Sequence, residues 1–261
     1  MTAEKLPIRA GTGREPVNLE DDWLLALERR HLADLTFAEV ARALRALSSC
    51  YVERRSRLGD GGALATRGKR AAFALFYGPL HFHLTRKILR ALDPPDDIRH
   101  VTDLGCGTGV AGAAWAIESG AGRITGWDRN AWAVGEANWT YREFRLRGRA
   151  LEGDAVRLTV RAEAGSGVVL AYLVNELDVE ARARIRTQLL RAGARGARVL
   201  VIEPIARRLA PWWSEWRDVF AAAGGRADDW RFPADLPQRQ RELARAAGLD
   251  PRELTARSLW M

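Results

Sequence analysis

A glycine-rich turn and a carboxylate after the next strand are the residues of this sequence best suited to bind a ligand. The segment Val101-Thr-Asp-Leu-Gly-Cys-Gly-Thr-Gly109 runs from a predicted strand into a turn and then into a predicted helix. Its glycines, Gly105, Gly107 and Gly109, allow a tight turn and a close approach to a ligand, and the helix N-terminus adds amide donors. Asp128 closes the next strand, where a carboxylate can accept from both hydroxyls of a ribose. The pattern predicts a nucleoside site; a plain tight turn, with Asp128 as a helix cap, is the alternative.

Polar residues also follow the third and fourth predicted strands. Asp154 stands between two small residues after the third strand, and Asn175 and Glu176 end the phrase AYLVNE of the fourth. Polar side chains at the carboxyl ends of sheet strands lie at the ligand crevice of an open α/β sheet. We therefore expect Asn175 and Glu176 to be catalytic residues that contact the reacting part of the substrate. The alternative for all three residues is a helix-capping role.

The D-x-G-x-G-x-G form of the turn, with Asp103 before the first glycine, differs from the dinucleotide fingerprint G-x-G-x-x-G, which would need a glycine at position 110. From about residue 98 to residue 261 the chain resembles class I S-adenosylmethionine-dependent methyltransferases. The resemblance implies S-adenosyl-L-methionine as the cofactor. Asp103 and the glycine turn would hold its methionine end, Asp128 its ribose, and Asp154 its adenine amino group. Asn175 would also contact the cofactor, near the methyl group that is transferred. Cys106, inside the turn, would contact the cofactor without acting as a nucleophile.

A closer resemblance extends over more of the chain. The phrases AYLVNELD and VLVIEP and the upstream helix RAAFALFYGPLHFHLTRKILRAL resemble the Rsm22-like branch of small-subunit ribosomal RNA methyltransferase-like proteins. That branch has a helical N-terminal region before its methyltransferase fold and is associated with small-subunit ribosomal RNA or its assembly. Its mitochondrial members carry a cysteine set for an iron–sulfur cluster, whereas this chain has only Cys50 and Cys106. We therefore do not expect the iron–sulfur site of those members in this chain.

The elements that must position these residues alternate along the chain. After a loose arm of about 18 residues, helical periodicity extends to about residue 92, with a capping-box spacing at Thr36 and Glu39 and a break at Pro79. Short β-rich runs then alternate with helices, which predicts a doubly wound, mostly parallel α/β sheet of Rossmann-like type, with seven strands once two near the C-terminus are included. We divide the chain into an N-terminal helical extension, residues 1–95, and a methyltransferase domain, residues 96–261.

The charge of the 261-residue chain is strongly positive and unevenly distributed. Lysine and arginine outnumber aspartate and glutamate by 41 to 33, a net charge of +8, which favours a polyanionic partner. Residues 54–90, the basic stretch, hold nine cations against Asp60 alone, so the rest of the chain sums to zero. We predict that this stretch binds RNA through the following side chains: Arg67, Lys69, Arg70, Arg86 and Lys87.

Aromatic residues interleave with these cations, and two interpretations stay open for them. Phe73, Phe76, Tyr77 and Phe82 could stack on bases, or they could form core at helical spacing. A second arginine cluster, residues 142–149, is interpreted as a solvated helix end. The histidines at positions 81 and 83 lie on different faces of a helix, and no third ligand suggests a metal.

The remaining composition narrows the class of protein. Two cysteines exclude a disulfide scaffold, and no signal-like or membrane-spanning apolar segment is evident, so we expect a cytoplasmic protein. The sequence therefore predicts an S-adenosylmethionine-dependent methyltransferase acting on RNA, most plausibly small-subunit ribosomal RNA. Two alternatives remain: a small-molecule or protein methyltransferase with a helical lid, and a cofactor-binding ribosome assembly factor that transfers nothing.

Overall fold

The computed structural model describes residues 18–53, 64–94, 97–205 and 210–261. Three predicted features lie wholly or partly outside these residues. They are the N-terminal arm, the first ten residues of the basic stretch with most of its glycine-rich break, and the boundary at residues 95 and 96. The side chain of Cys50 is also outside the description.

Seven strands form one sheet, as predicted. They are β1 (His100–Leu104), β2 (Arg123–Asp128), β3 (Gly148–Glu152), β4 (Ser166–Ala171), β5 (Arg198–Glu203), β6 (Arg226–Pro233) and β7 (Glu253–Trp260). Their order is β3-β2-β1-β4-β5-β7-β6, with β1 to β5 parallel and β7 antiparallel to both of its neighbours. The order reverses between β1 and β4, and this switch point is where an open α/β sheet binds its ligand. The doubly wound α/β fold is confirmed.

Helices cover both faces of this sheet. They are α1 (Leu19–His31), α2 (Phe37–Glu53), α3 (Arg67–Ala72), α4 (Gly78–Leu92), α5 (Val110–Glu118), α6 (Ala131–Glu143), α7 (Val179–Ala194), α8 (Trp213–Ala222) and α9 (Gln238–Ala246). Side chains of α7 and α8 pack on one face, and α1, α2, α4, α5, α6 and α9 share a core on the other. The N-terminal helices are thus continuous with the packing of the sheet, and the Trp23 ring of α1 lies tilted against the rings of Phe82 and Phe144, with centroid distances of 5.2 and 4.9 Å.

Two local predictions about the N-terminal helices agree with the structure. At the start of α2, the Thr36 amide donates to the Glu39 carboxylate at 2.8 Å and the Glu39 amide donates to the Thr36 hydroxyl at 3.3 Å. The predicted helix over residues 71–92 divides at Pro79, where a π-helical turn, Phe73–Tyr77, separates α3 from α4. Because proline has no N–H, the Leu75 carbonyl lacks its usual donor, and the buried Gln240 side chain donates to it at 3.1 Å.

Two predicted boundaries were wrong, and each has a local cause. The apolar run at residues 168–174 predicts a fourth strand of that length, but β4 ends at Ala171 because Tyr172 has a φ of 61° and turns the chain out of the sheet. The periodicity of residues 131–147 predicts one helix over that range, which is α6 in the structure. It ends at Glu143 because Arg145 takes the left-handed conformation, with a φ of 56°.

Candidate active site

The carboxyl ends of the parallel strands open into one cleft of about 540 Å³. Of the predicted site residues, the structure places eight on its wall: Asp103, Gly105, Cys106, Gly107, Asp128, Asp154, Asn175 and Glu176. Gly109 is not on this wall. It begins α5 with a φ of 79°, and a Cβ there would lie 2.8 Å from the Tyr141 ring, so Gly109 allows α5 to pack against α6.

The turn after β1 is open toward the cleft at its centre. Gly107 has a φ of 52°, and a Cβ added there would meet no atom within 4 Å. Gly105 has a φ of 69°, and a Cβ there would lie 2.8 Å from the Leu173 side chain. Glycine is therefore required at Gly105 by backbone conformation and packing, whereas Gly107 leaves free space for a ligand beside its backbone.

Asp103 presents a buried carboxylate below this turn. One oxygen accepts from the Gly112 amide at 2.9 Å, while the other has no partner among the residues that the structure describes. Burial raises the pKa of this carboxyl to about 7, despite the opposing hydrogen bond from Gly112. A buried oxygen without a partner fits a ligand that brings a positively charged donor, as the amino group of a methionine moiety would.

Asp128 connects the turn to the end of β2. Its carboxylate accepts from the Gly107 amide at 2.9 Å and from the Asn130 amide at 2.8 Å. Two of about four acceptor positions on a carboxylate are thereby occupied, and the rest can accept from a ribose diol. The helix-capping alternative does not describe Asp128, because the side chain of Asn130 caps α6.

Asp154 does not cap a helix, which was the alternative to adenine binding, because the residues that follow it form a turn. Its carboxylate accepts from the Val156 amide at 3.0 Å and forms ion pairs with Arg129 at 2.7 Å and Arg157 at 3.3 Å. Burial opposes ionisation, but these hydrogen bonds and charges hold the pKa of Asp154 below its ordinary value. The ionised carboxylate still lines the cleft, so adenine binding by Asp154 stays a prediction.

Asn175 is held by side chains from two later elements. Its amide nitrogen donates to Glu203 at 2.6 Å, and its amide oxygen accepts from the Trp212 indole at 3.0 Å. Glu203, at the end of β5, is 1% exposed and also accepts from the Val174 amide at 2.7 Å. Asn175 therefore has its side-chain amide engaged within the protein, which suits a positioning role. Glu176 beside it is exposed at the rim of the cleft.

Sequence reasoning missed Glu203 as a site residue, although its signal was present. The rule that singled out Asp128 and Asn175, a polar residue at the carboxyl end of a buried strand, also applies to the end of VLVIE. The sequence does not show that this carboxylate orients Asn175, because the two residues are 28 positions apart and meet only in the sheet.

Four rings form an aromatic wall on one side of the cleft: Phe73, Tyr77, His81 and Tyr172. The His81 and Tyr172 rings stack at a centroid distance of 3.9 Å and an angle of 19°. Burial lowers the pKa of His81 to about 3, so the imidazole is neutral at physiological pH. No residue in the described ranges forms a hydrogen bond with this imidazole. Tyr172 is an aromatic residue in the left-handed region, a strained conformation that is concentrated at functional sites.

The aromatic residues of the basic stretch fall into two groups, one buried in the core and one lining the cleft. Phe76 and Phe82 are buried core residues. Phe73 and Tyr77 are half-buried and line the cleft. The π-helical turn places them there, since it rotates the chain between α3 and α4.

Most cations predicted to bind RNA have partners within the protein. Arg67 pairs with Asp34 at 2.6 Å, Arg86 pairs with Glu20 and Glu118, and Lys87 lies 3.7 Å from Asp235. Arg70 donates to the Leu64 carbonyl at 2.7 Å. Lys69 is half-buried. RNA binding by these five side chains stays a prediction, and the structure shows that much of their charge is balanced internally.

The described ranges lack the features of a metal centre and of a membrane-spanning helix. The described ranges contain no cluster of three or more histidine, cysteine, aspartate or glutamate side chains suited to hold a metal ion. Nor do they include a helix long and apolar enough to cross a membrane. Cys106 is a buried free cysteine, and burial raises the pKa of its thiol well above the ordinary value, which disfavours the nucleophilic thiolate.

Comparison with known proteins gives one family match. Residues 84–166, from within α4 to the start of β4, match the model of the methyltransferase small domain. No curated protein sequence matches the chain.

Solved structures resemble the chain at low sequence identity. The methyltransferase domain of a bacterial Hen1 protein is 15% identical, covers 70% of this chain and 97% of its own, and has a TM-score of 0.48. A proposed RNA methyltransferase from Pyrococcus horikoshii is 16% identical over 75% of this chain and 84% of its own, with a TM-score of 0.45. The glycopeptide N-methyltransferase MtfA, complexed with sinefungin, is 14% identical over 69% and 86%, with a TM-score of 0.41. None of these similarities bears on the acceptor.

The family match covers the glycine turn, Asp103 and Asp128, which the sheet brings together at its switch point. The unpaired oxygen of Asp103, the open backbone at Gly107 and the carboxylate of Asp128 fit a ligand with an amino acid moiety and a ribose. The chain is an S-adenosylmethionine-dependent methyltransferase, and S-adenosyl-L-methionine is its cofactor.

Proposed function

We propose that this methyltransferase acts on RNA, with small-subunit ribosomal RNA as the first acceptor to test, and that it does so in the cytoplasm. The observation that carries the proposal is the aromatic wall. Stacked rings beside the cleft suit a planar acceptor, and a nucleobase turned out of its helix is such a group. The net charge of +8 supports the same partner, since RNA is a polyanion.

For the cofactor, we propose that the glycine turn and Asp103 hold the methionine end. Gly105, Cys106 and Gly107 would approach it through their backbone, while Gly109 shapes the turn by letting α5 pack closely. Asp128 would accept from the ribose hydroxyls, and the turn at Asp154 would meet the adenine edge. When bound, S-adenosylmethionine supplies an electrophilic methyl group.

On the acceptor side, the chain's own residues would align the base and manage its proton. Asn175, oriented by Glu203 and Trp212, keeps the segment after β4 in one position beside the cleft. Glu176 at the rim is our candidate to accept a proton from the acceptor. The neutral His81 ring, stacked on Tyr172, offers a hydrogen bond to a base edge.

The test is transfer of a labelled methyl group from S-adenosylmethionine to isolated small ribosomal subunits, total RNA, protein and a small-molecule extract, each assayed separately. We expect label in RNA with the wild-type chain and no label with Asp128→Asn. Asp218→Asn is the matched control, because Asp218 is an exposed aspartate on α8 outside the cleft lining. Label only in protein or small molecules would refute the RNA acceptor.

A second candidate is a small-molecule or protein methyltransferase whose N-terminal helices form a lid. The observation that favours it is the position of Phe73, Tyr77 and His81, which bring the N-terminal helices to the wall of the cleft. Label in the small-molecule or protein fraction would select this candidate. The third possibility, an assembly factor that transfers nothing, would bind cofactor and RNA with no label in any fraction.

A further inference from the structure

The end of the sheet opposite the cleft, where the parallel strands begin, carries arginines that the function proposed above does not use. We call this surface the basic edge, and its residues are Arg123, Arg142, Arg145, Arg147 and Arg149. Arg123 begins β2, and Arg147 and Arg149 flank the first residue of β3. Arg142 is in the last turn of α6, and Arg145 lies between α6 and β3. All five side chains are exposed. The sequence alone suggested only a solvated helix end here.

No carboxylate balances the charge of the basic edge. Within the residues that the structure describes, none of the five arginines forms an ion pair, and Glu143, the acid between them in the sequence, pairs with none of them. The Ile124 amide donates to the Arg147 carbonyl at 3.1 Å, so Arg147, just before β3, lies beside Arg123 at the start of β2. Like charges placed side by side across strands destabilise a sheet.

Arg145 adds a second, independent observation. It lies just beyond α6 with a φ of 56°, and the Leu146 amide donates to the Tyr141 carbonyl at 2.8 Å, which is the helix ending that favours glycine. An arginine in this conformation costs stability relative to glycine. An arginine thus occupies a position where the backbone conformation would favour glycine.

We propose that the basic edge binds the phosphate backbone of a folded RNA, at a segment other than the nucleotide that enters the cleft. The proposal rests on the proposed function in taking RNA as the partner. Strands of five or six residues place the basic edge roughly 17–20 Å from the cleft, so a short strand in the cleft would not reach it. Guanidinium groups bind phosphate oxygens in a bidentate manner. Because the arginines of the basic edge have no carboxylate partner, they can bind phosphate without first breaking an ion pair.

An anionic membrane is the other polyanionic surface, and the residues present favour RNA. Binding to a lipid surface by a basic face is usually assisted by apolar side chains that enter the headgroup region. The exposed large hydrophobic side chains of the described residues are Leu25 and Val179, and neither lies in the elements that form the basic edge.

The main experiment compares two double variants of the full chain. Arg147→Gln with Arg149→Gln removes two charges from the basic edge. Arg184→Gln with Arg245→Gln removes two exposed and unpaired charges from α7 and α9. Binding is measured by fluorescence anisotropy with a folded small-subunit ribosomal RNA fragment and with a trinucleotide, across a salt series.

We expect the basic-edge variant to bind the folded RNA about tenfold more weakly or worse. The slope of log K against log salt should fall by about 1.5, since each lost phosphate contact removes about 0.7 to 0.9. The trinucleotide should bind both variants nearly alike. Equal affinity of the two variants for the folded RNA would overturn the proposal. So would equal RNA binding combined with a selective loss of binding to phosphatidylserine vesicles by the basic-edge variant.

Arg145→Gly separates a binding role from a structural one. Glycine suits the left-handed conformation, so this variant should melt at a higher temperature than the wild type and yet bind the folded RNA more weakly. A higher melting temperature with unchanged RNA affinity would exclude Arg145 from the binding surface.

The outcomes also separate this inference from the proposed function. If RNA receives no label but the basic-edge variant selectively loses RNA binding, the RNA acceptor fails and the basic edge stands. If RNA is methylated by both double variants with equal KM, the acceptor stands and the basic edge fails.

Discussion

Two arginine-rich regions of this chain look alike in the sequence and differ in the fold. In the described part of the basic stretch, Arg86 pairs with Glu20 and Glu118, Arg90 pairs with Glu118, and Arg67 pairs with Asp34. In the basic edge no arginine pairs with a carboxylate among the described residues. The acids that neutralise the first region come from 28 to 66 positions away, so charge density along a sequence does not give the charge of a surface.

The largest effect on stability is expected from removal of the Arg86 side chain, which tests this comparison directly. Its side chain is 21% exposed and lies between two carboxylates, so Arg86→Ala removes the partner that the partly buried Glu20 and Glu118 share. We expect a loss of about 3 kcal/mol in the free energy of unfolding, measured with urea. Arg147→Ala, the matched change in the basic edge, should alter it by no more than about 0.5 kcal/mol. Equal losses in the two variants would contradict the division between the regions.

The next largest effect is expected for Glu118, whose contribution to the free energy of unfolding should depend on pH. Burial opposes its ionisation, but hydrogen bonds from Arg90 and Arg86 hold the pKa of Glu118 below its ordinary value of 4.5. A carboxyl with a lowered folded pKa stabilises the fold above its unfolded pKa, and this contribution is lost as pH falls through the folded pKa. Glu118→Gln should therefore cost about 2 kcal/mol at pH 7, and the cost should shrink below pH 4.5. A cost that is constant from pH 7 to pH 3 would exclude this role.

A smaller effect of opposite sign is expected in the basic edge. Arg145→Gly should raise the free energy of unfolding by about 1 kcal/mol, because glycine adopts the left-handed conformation without steric cost. Arg142→Gly is the contrasting variant, since Arg142 is in the last turn of α6, where glycine lowers stability by about 1 kcal/mol. The same sign for both variants in calorimetry would show that the conformation at Arg145 is not strained.

The smallest effect is expected for the exposed ion pair of the basic stretch. Arg67 and Asp34 are each about 70% exposed, so water and salt screen their attraction. Arg67→Gln should change the free energy of unfolding by less than about 0.5 kcal/mol. A larger loss in the free energy of unfolding, absent in 1 M salt, would show that this exposed pair stabilises the fold as the ion pairs of Arg86 do.

Features that depend on neighbours in the sequence could be predicted. The capping box at Thr36 and Glu39 joins residues three apart, and the glycine turn uses backbone conformations of adjacent residues. The alternation of strands and helices after residue 98 was enough for a doubly wound sheet, and the end of each strand then indicated Asp103, Asp128 and Asn175. The capping box and the sheet are confirmed because strand and helix periods and turn chemistry are local properties, while the binding roles of these three residues stay predictions.

The partners of those residues were decided only by the tertiary structure. Glu203 orients Asn175 across 28 positions, and Gln240 satisfies the carbonyl that Pro79 leaves free from 165 positions away. No local pattern shows which carboxylate will meet which guanidinium, because such pairs depend on the packing of separate elements. The sequence alone therefore determined the fold class and the strand ends at which the cleft forms. The packing of helices against the sheet decided which cations have carboxylate partners and which remain exposed without one.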